Sequence, residues 1–196
     1  MVITMTQGHT DLQTRSSRLA DGRAMVTRRI HASADDVWSV LADGWLYANW
    51  VVGASRVRDV DEHWPQPGSR LHHSFGAWPI LIDDHTEVVS CDPGRELLLK
   101  ARGRPVGEAH VQIKVSAAGT HGSVVSIAED ATGGPGTLLP RPARQLLITP
   151  RNTEALRRLA LIAEGRHKAD LLSAPSPTVV HHDHIDSLSQ LRRRSG

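Results

Sequence analysis

The sequence predicts an α+β domain in which a curved antiparallel sheet wraps around one C-terminal helix. Three observations predict it. A strand runs straight into a capped helix at His31-Ala-Ser-Ala-Asp-Asp-Val-Trp-Ser-Val-Leu. A long stretch of alternating apolar and polar residues follows, divided by turn residues, and such alternation marks antiparallel strands with one face on a core. A single amphipathic helix comes near the end. A sheet curved around one helix leaves space between the two, and that space suits an apolar small molecule.

The 196 residues allow one domain of common size with slack at the ends. Hydrophobic residues make up 39% of the chain, which is lean, so disordered tails are expected at 1–23 and 167–196 around a domain at 24–166. The formal charge of +2 is unevenly placed: residues 1–23 hold three Arg and two Asp, and residues 166–196 hold five Lys/Arg and three Asp. The segment between them carries 15 basic and 16 acidic residues. The basicity belongs to the ends, which argues against a nucleic-acid partner for the domain.

Cys91 is the single cysteine, so neither an internal disulfide nor a cysteine metal cluster can form. Nowhere do the 18 apolar residues of a membrane span run together. The opening Met1-Val-Ile-Thr-Met-Thr-Gln lacks the basic and apolar regions of a secretion signal. No membrane insertion and a cytoplasmic location are therefore expected. A homodimer is compatible with the sequence. No phosphate loop, dinucleotide fingerprint or zinc-finger spacing occurs, so no cofactor and no metal are expected.

Met25–His31 reads as the first strand, with Val26 and Ile30 on one face. Ser33 is placed as an N-cap, with Asp36 three residues on to complete a capping box and Asp35 favouring the positive helix end. Val37, Val40 and Leu41 form the buried stripe, and Gly44 is expected to end the helix at C′. Trp45–Trp50 predicts a second short helix. The β region begins near Ser55, and Trp64-Pro-Gln-Pro-Gly68 is a rigid turn. Strands follow at 69–75, 80–91, 95–102, 110–115 and 123–130, separated by Gly/Pro turns such as Asp92-Pro-Gly94. Ala131–Thr149 reads as a long Gly/Pro-rich connection. Thr149-Pro150 supplies a cap and first helical position for a helix to Glu164, with Ala155, Leu156, Leu159, Ile162 and Ala163 inward and Gly165 at its end.

This order, with Trp64-Pro-Gln-Pro-Gly-Ser, Phe75-Gly-Ala-Trp-Pro, Asp84-His-Thr-Glu-Val, Asp92-Pro-Gly-Arg-Glu-Leu and Ser126-Ile-Ala-Glu-Asp, resembles the START-like or SRPBCC superfamily in its polyketide cyclase/dehydrase-like branch. The resemblance covers roughly residues 24–165 and begins at Ala32-Ser-Ala-Asp-Asp-Val-Trp-Ser-Val-Leu. It implies a helix-grip fold: a seven-stranded sheet around the Pro150–Glu164 helix, an elongated cavity between, and two short helices closing one end.

Strand parity assigns Leu71, Phe75, Leu97, Leu99, Val111, Ile113, Val125 and Ile127 to the cavity face, and brings His73 and Glu129 inward with them. On the 80–91 strand, Thr86 and Val88 are expected inward and His85 and Glu87 outward; a one-residue slip would reverse this. Trp50 and Trp78 join the candidate ligand contacts, since Trp45, Tyr47, Trp50, Trp64 and Trp78 fall in or beside loops where aromatics either stack on a planar ligand or staple turns to the sheet. His181-His-Asp-His184 with Asp186 has ligand types suited to zinc or nickel, but the segment has no core to preorganise them. Arg192-Arg-Arg194 reads as a solvated end.

The expected function is binding or carriage of a hydrophobic small molecule: a lipid, polyketide or aromatic metabolite. The Trp64–Gly68 and Ala131–Pro142 loops would gate its entry. A cyclase/aldolase-type enzyme with His73 and Glu129 as proton-transfer groups is the alternative. A surface-acting regulatory module comes third, because the outward residues Arg70, His72, His110, Gln112 and Lys114 are polar.

Overall fold

The structure, a computed structural model, describes residues 14–19, 23–77, 79–103 and 107–173. One antiparallel sheet of eight strands carries the architecture, in the order β1-β2-β8-β7-β6-β5-β4-β3. The strands are β1 (Thr14–Arg18), β2 (Ala24–Ile30), β3 (Ala54–Val60), β4 (Arg70–Ala77), β5 (Ile80–Asp92), β6 (Glu96–Gly103), β7 (Gly107–Ala117) and β8 (Ser123–Gly133). Between β2 and β3 lie α1 (Ala34–Ala42), a 3-10 turn (Gly44–Leu46) and α2 (Tyr47–Trp50). After β8 come a 3-10 turn (Pro135–Leu138) and α3 (Arg141–Ser173), which lies against the sheet. This is the α+β helix-grip arrangement, with one strand more than the seven expected.

The additional strand is β1, which falls in the segment expected to be disordered. Its residues are largely exposed, so no hydrophobic pattern announces it. It is held by antiparallel pairing with β2, from Thr14 opposite Arg28 to Arg18 opposite Ala24, and by Arg28 Nη1 donating to Thr14 Oγ1 at 2.8 Å. The tail beyond 173, with His181–His184, Asp186 and Arg192–Arg194, lies outside the described residues, as do residues 1–13.

The capping box forms as expected. Asp36 N–H donates to Ser33 Oγ at 3.1 Å, and Ser33 N–H donates to Asp36 Oδ2 at 3.0 Å. Two orphan amides of the first turn are thus satisfied locally, and Val37, Val40 and Leu41 are turned into the core. Gly44, however, is no left-handed C′ residue. It starts the 3-10 turn, and glycine is needed there because a Cβ would lie 2.7 Å from Val60 Cγ1 and 3.1 Å from Leu71 Cδ1.

The largest departure lies in α3. Residues 141–149 are helical rather than a connection, Thr149 is not a cap, and Pro150 lies inside the helix. Pro142 in the first turn suits a helix start, and Ala143-Arg-Gln-Leu-Leu147 are strong helix formers. Pro150 leaves the carbonyl four residues back without its donor. That residue, Leu146, is 76% exposed, on the part of the helix that faces away from the core. Gly165 does not end the helix either; it is an exposed residue within it.

The core lies between the inner sheet face, α1 and the middle of α3. Val26, Leu97, Leu99, Ile113, Val125 and Ile127 from the sheet meet Leu156, Leu159 and Ala163 from α3, all within 1% of full burial. Burying side chains of this size stabilises by about 1.5–3 kcal/mol each. Polar contacts fix the helix position along the sheet. Glu164 Oε1 accepts from His31 N–H at 2.9 Å, and His167 Nδ1 lies 2.7 Å from Asp36 Oδ2.

Candidate functional site

A cavity of about 320 Å³ lies between the sheet and α3, at the lower end of the size range of small-molecule sites. It is lined from α2, the residues that follow it, β4, β6, β7, β8, the second 3-10 turn and the first half of α3. Trp50, Phe75, Leu99, Val111 and Ile127 form much of its apolar wall. Gly53 shapes this wall: its φ is +98°, and a Cβ there would lie 2.3 Å from Phe75 Cε2. Any side chain at 53 would be strained in its backbone and would displace Phe75.

Of the residues that sequence parity turned inward, Phe75, Leu99, Val111, Ile127, His73 and Glu129 line the cavity, and so does Trp50 from the short helix. Leu71, Val88, Leu97, Ile113, Val125 and Thr86 do not. All six are within 1% of full burial: the five apolar ones belong to the packed core, and Thr86 is hydrogen-bonded to Tyr47 and His73. Parity decides the face of a sheet and not the position along the helix, which fills the space over these residues. Trp78 lies outside the described residues. Asp84, Thr86 and Val88 are the buried residues of β5 from 84 to 88, so its inward register is the expected one. The Trp64–Gly68 turn does not line the cavity; Trp64 Nε1–H donates to the Leu41 carbonyl at 3.3 Å and fastens the turn to α1.

Two polar groups interrupt the apolar wall. In the first, Tyr47 Oη and Thr86 Oγ1 share a hydrogen bond of 2.9 Å, and Thr86 Oγ1 lies 3.2 Å from His73 Nε2. The Tyr47 and His73 rings pack with centroids 5.2 Å apart. Burial pushes the Tyr47 phenol up to about 12, so it stays protonated. Burial also holds His73 below the ordinary imidazole value, against the opposing pull of Asp84. His73 is therefore neutral near pH 7, and its Nδ1 is buried with no protein partner.

In the second group, Glu129 on β8 forms an ion pair through Oε1 with Arg151 Nη2 on α3. Burial lowers the Arg151 value but the neighbouring Glu129 charge outweighs it, and the guanidinium is held more firmly charged than usual. Glu129 is 4% exposed, and its Oε2 has no protein partner. Beside this pair, Arg144 Nη2 lies 3.4 Å from Asp130 Oδ1. Gln145 Nε2–H donates to the Glu129 carbonyl at 3.1 Å, and Gln145 Oε1 accepts from Ala24 N–H at 3.1 Å. His73 and Glu129 thus both line the cavity but take different partners.

Sequence reasoning missed Arg151, Arg144 and Asn152. All three lie on α3, where residues before Thr149 were read as a connection and 151 and 152 as its first turn. An unpartnered inward Glu129 was the available signal, since a buried carboxylate requires a cation or several donors.

The family model for polyketide cyclase / dehydrase and lipid transport proteins matches residues 22–164. The chain belongs to that family. Solved structures share its fold at low identity. Protein NE0264 from Nitrosomonas europaea is 15% identical with a TM-score of 0.58, covering 77% of this chain and 99% of its own. The Zhui aromatase/cyclase from Streptomyces sp. R1128 is 20% identical with a TM-score of 0.56, over 78% of this chain and 95% of its own. CalU16 from Micromonospora echinospora is 17% identical with a TM-score of 0.52, over 80% and 78%. No curated protein matches the sequence. Among the described residues, no helix is long and apolar enough to cross a membrane, and no group of three or more His, Cys, Asp or Glu side chains is placed to hold a metal ion.

Proposed function

We propose that the protein binds and carries a hydrophobic small molecule, of lipid, polyketide or aromatic type, in the cavity between the sheet and α3, as a cytoplasmic protein. The observation that carries this reading is the cavity itself: about 320 Å³ walled by Trp50, Phe75, Leu99, Val111 and Ile127, with its few polar groups gathered around His73 and Glu129. Burial of apolar ligand surface at about 25 cal/mol per Å² supplies the affinity, and the polar groups set orientation. Membership in a family described by both cyclases and lipid transport supports a hydrophobic ligand without selecting one.

Native mass spectrometry of gently purified protein, followed by solvent extraction, tests the reading. A stoichiometric lipid or aromatic adduct, co-purified or taken up on addition, is the expected result. Protein that stays empty against lipids and aromatic hydrocarbons alike would overturn it.

A cyclase/aldolase-type reaction is the second reading, favoured by the neutral His73, whose ring packs on Tyr47 and whose Nε2 is joined to the Tyr47 hydroxyl through Thr86 Oγ1. In that reading His73 accepts a proton and Tyr47 holds the oxygen on which charge develops. Glu129 is engaged through Oε1 by Arg151 instead. Turnover of a bound polyketide-like ligand that is lost in His73→Gln but kept in Glu129→Gln would support it; turnover unchanged in both would remove it.

A further inference from the structure

We propose that the protein docks peripherally on an anionic lipid bilayer through the cover of its cavity, the 3-10 turn Pro135–Leu138 and the outward side of α3, with the cavity mouth against the bilayer. The inference deepens the cavity-binding reading above by naming the surface from which the ligand is taken up. Exposed apolar side chains, an excess of arginine and the opening of the cavity coincide on this one side of the molecule.

Seven of the ten large hydrophobic residues that stand exposed among the described residues lie between Leu138 and Leu172. Leu138, at 85%, is the most exposed of them. Leu139 and Leu147 are exposed and also line the cavity, so the pairs 138–139 and 146–147 border its mouth. Leucines gathered at an opening mark an interaction surface, unlike apolar residues scattered singly. Helical spacing carries the surface along α3: Arg158 lies about three turns beyond Leu147, and exposed Leu161 and Leu172 follow on the same side.

Charge selects the partner. Residues 138–158 hold five arginines and one acid, Glu154, whereas the rest of 24–165 holds ten basic and fifteen acidic residues. Glu129 and Asp130 answer Arg151 and Arg144 from β8, and Arg157 and Arg158 share Glu154. With Arg141, these groups keep a surplus of two positive charges. At the rim, Lys100 and Arg102 share Glu108 and add a third. A second copy of the chain on this face would bring the same surplus against itself, since a two-fold contact pairs like with like. Anionic headgroups answer the surplus, and the boundary with the acyl chains takes up the leucines. Each basic residue near such a surface strengthens binding about fivefold.

The test is co-sedimentation of the full chain with phosphatidylcholine vesicles, with and without about one-third phosphatidylglycerol, at about 50 and about 500 mM salt. The expected result is partitioning at least about tenfold stronger onto the anionic vesicles at low salt, falling toward the neutral value at high salt. Leu138→Ser combined with Leu146→Ser changes two exposed residues outside the cavity wall. It is expected to weaken partitioning at least about tenfold while leaving 2-naphthol uptake, read by fluorescence, intact. Arg157→Gln with Arg158→Gln should weaken anionic binding about tenfold, and Val89→Ser, an exposed apolar residue on β5, should not change it. Wild-type protein that stays off anionic vesicles, or double-leucine protein that binds them undiminished, overturns the docking; 2-naphthol uptake by the same protein leaves the cavity reading standing. A dimer that dissociates in the double-leucine variant, without vesicle binding, assigns the face to a second copy and also overturns it. Vesicle binding by protein that takes up neither 2-naphthol nor lipid supports the docking and removes the cavity reading.

Discussion

Helix α3 divides at Pro150 into two regions with opposite surroundings. Beyond the proline, Ala155, Leu156, Leu159, Ala160 and Ala163 are buried against the sheet and α1, none more than 5% exposed. Before it, Leu146 is 76% and Leu147 70% exposed, and contact with the body of the domain runs mainly through Arg144, Gln145 and the cavity. The comparison separates two tasks within one helix. The residues after Pro150 hold the sheet in its curve; those before it, with Leu147 and Ile148 lining the cavity, form its cover.

That contrast can be broken most strongly at its gripped end. Leu159→Ala removes a fully buried side chain from the core and is expected to cost about 2–5 kcal/mol by denaturant unfolding. A loss below 1 kcal/mol would mean that this part of α3 is not the clamp. Arg151→Met sits at the boundary. It leaves the Glu129 carboxylate buried without its cation, and about 2–3 kcal/mol is expected, less than for a fully buried pair because Arg151 is 35% exposed. Arg151→Leu combined with Glu129→Leu should recover part of that loss.

A smaller effect appears with pH. Burial depresses His73, so the unfolded chain takes up its proton at higher pH than the folded protein does. Stability is therefore full above the ordinary imidazole value of about 6.5 and declines as pH falls through it. His73→Gln is expected to flatten the slope of stability between about pH 7 and 5, leaving the share contributed by His85, which burial and Arg102 also lower. An unchanged slope would show that His73 titrates as in the unfolded chain.

The smallest stability effect belongs to the cover. Leu147→Ser should change stability by no more than about 0.5 kcal/mol while altering the rate of ligand uptake in stopped-flow fluorescence. A large stability loss there would erase the distinction between cover and clamp.

The same division explains what could be read from the sequence. Capping, turn chemistry and strand alternation are local, so α1 and the strands from β2 to β8 were legible in order and facing, though β7 and β8 run longer than expected, and so were the inward positions of His73, Thr86 and Glu129. Two features depend on distant partners. Strand β1 is polar and gains its order only by pairing with β2. The start of α3 carries two conflicting local signals, the Thr149-Pro150 start motif and the helix-forming Ala143–Leu147 run, and docking onto Ala24 and β8 through Gln145 and Arg144 decides between them. The cavity contacts on that segment, Arg151 above all, were hidden with it. The parity rule likewise overfilled the cavity, because Leu71, Leu97, Ile113 and Val125 share its face but lie in the packed core rather than in the open part.

The central claim is that a ligand sits between the sheet and the first half of α3. Its most direct test is a two-dimensional ¹H–¹⁵N NMR titration of the full chain with 2-naphthol. The account predicts shifts concentrated at Trp50, Leu99, Val111, Ile127, Glu129 and Arg151, with the outward-facing His72, Lys114 and β1 unmoved. Shifts confined to that outer face, with the cavity residues silent, would contradict it.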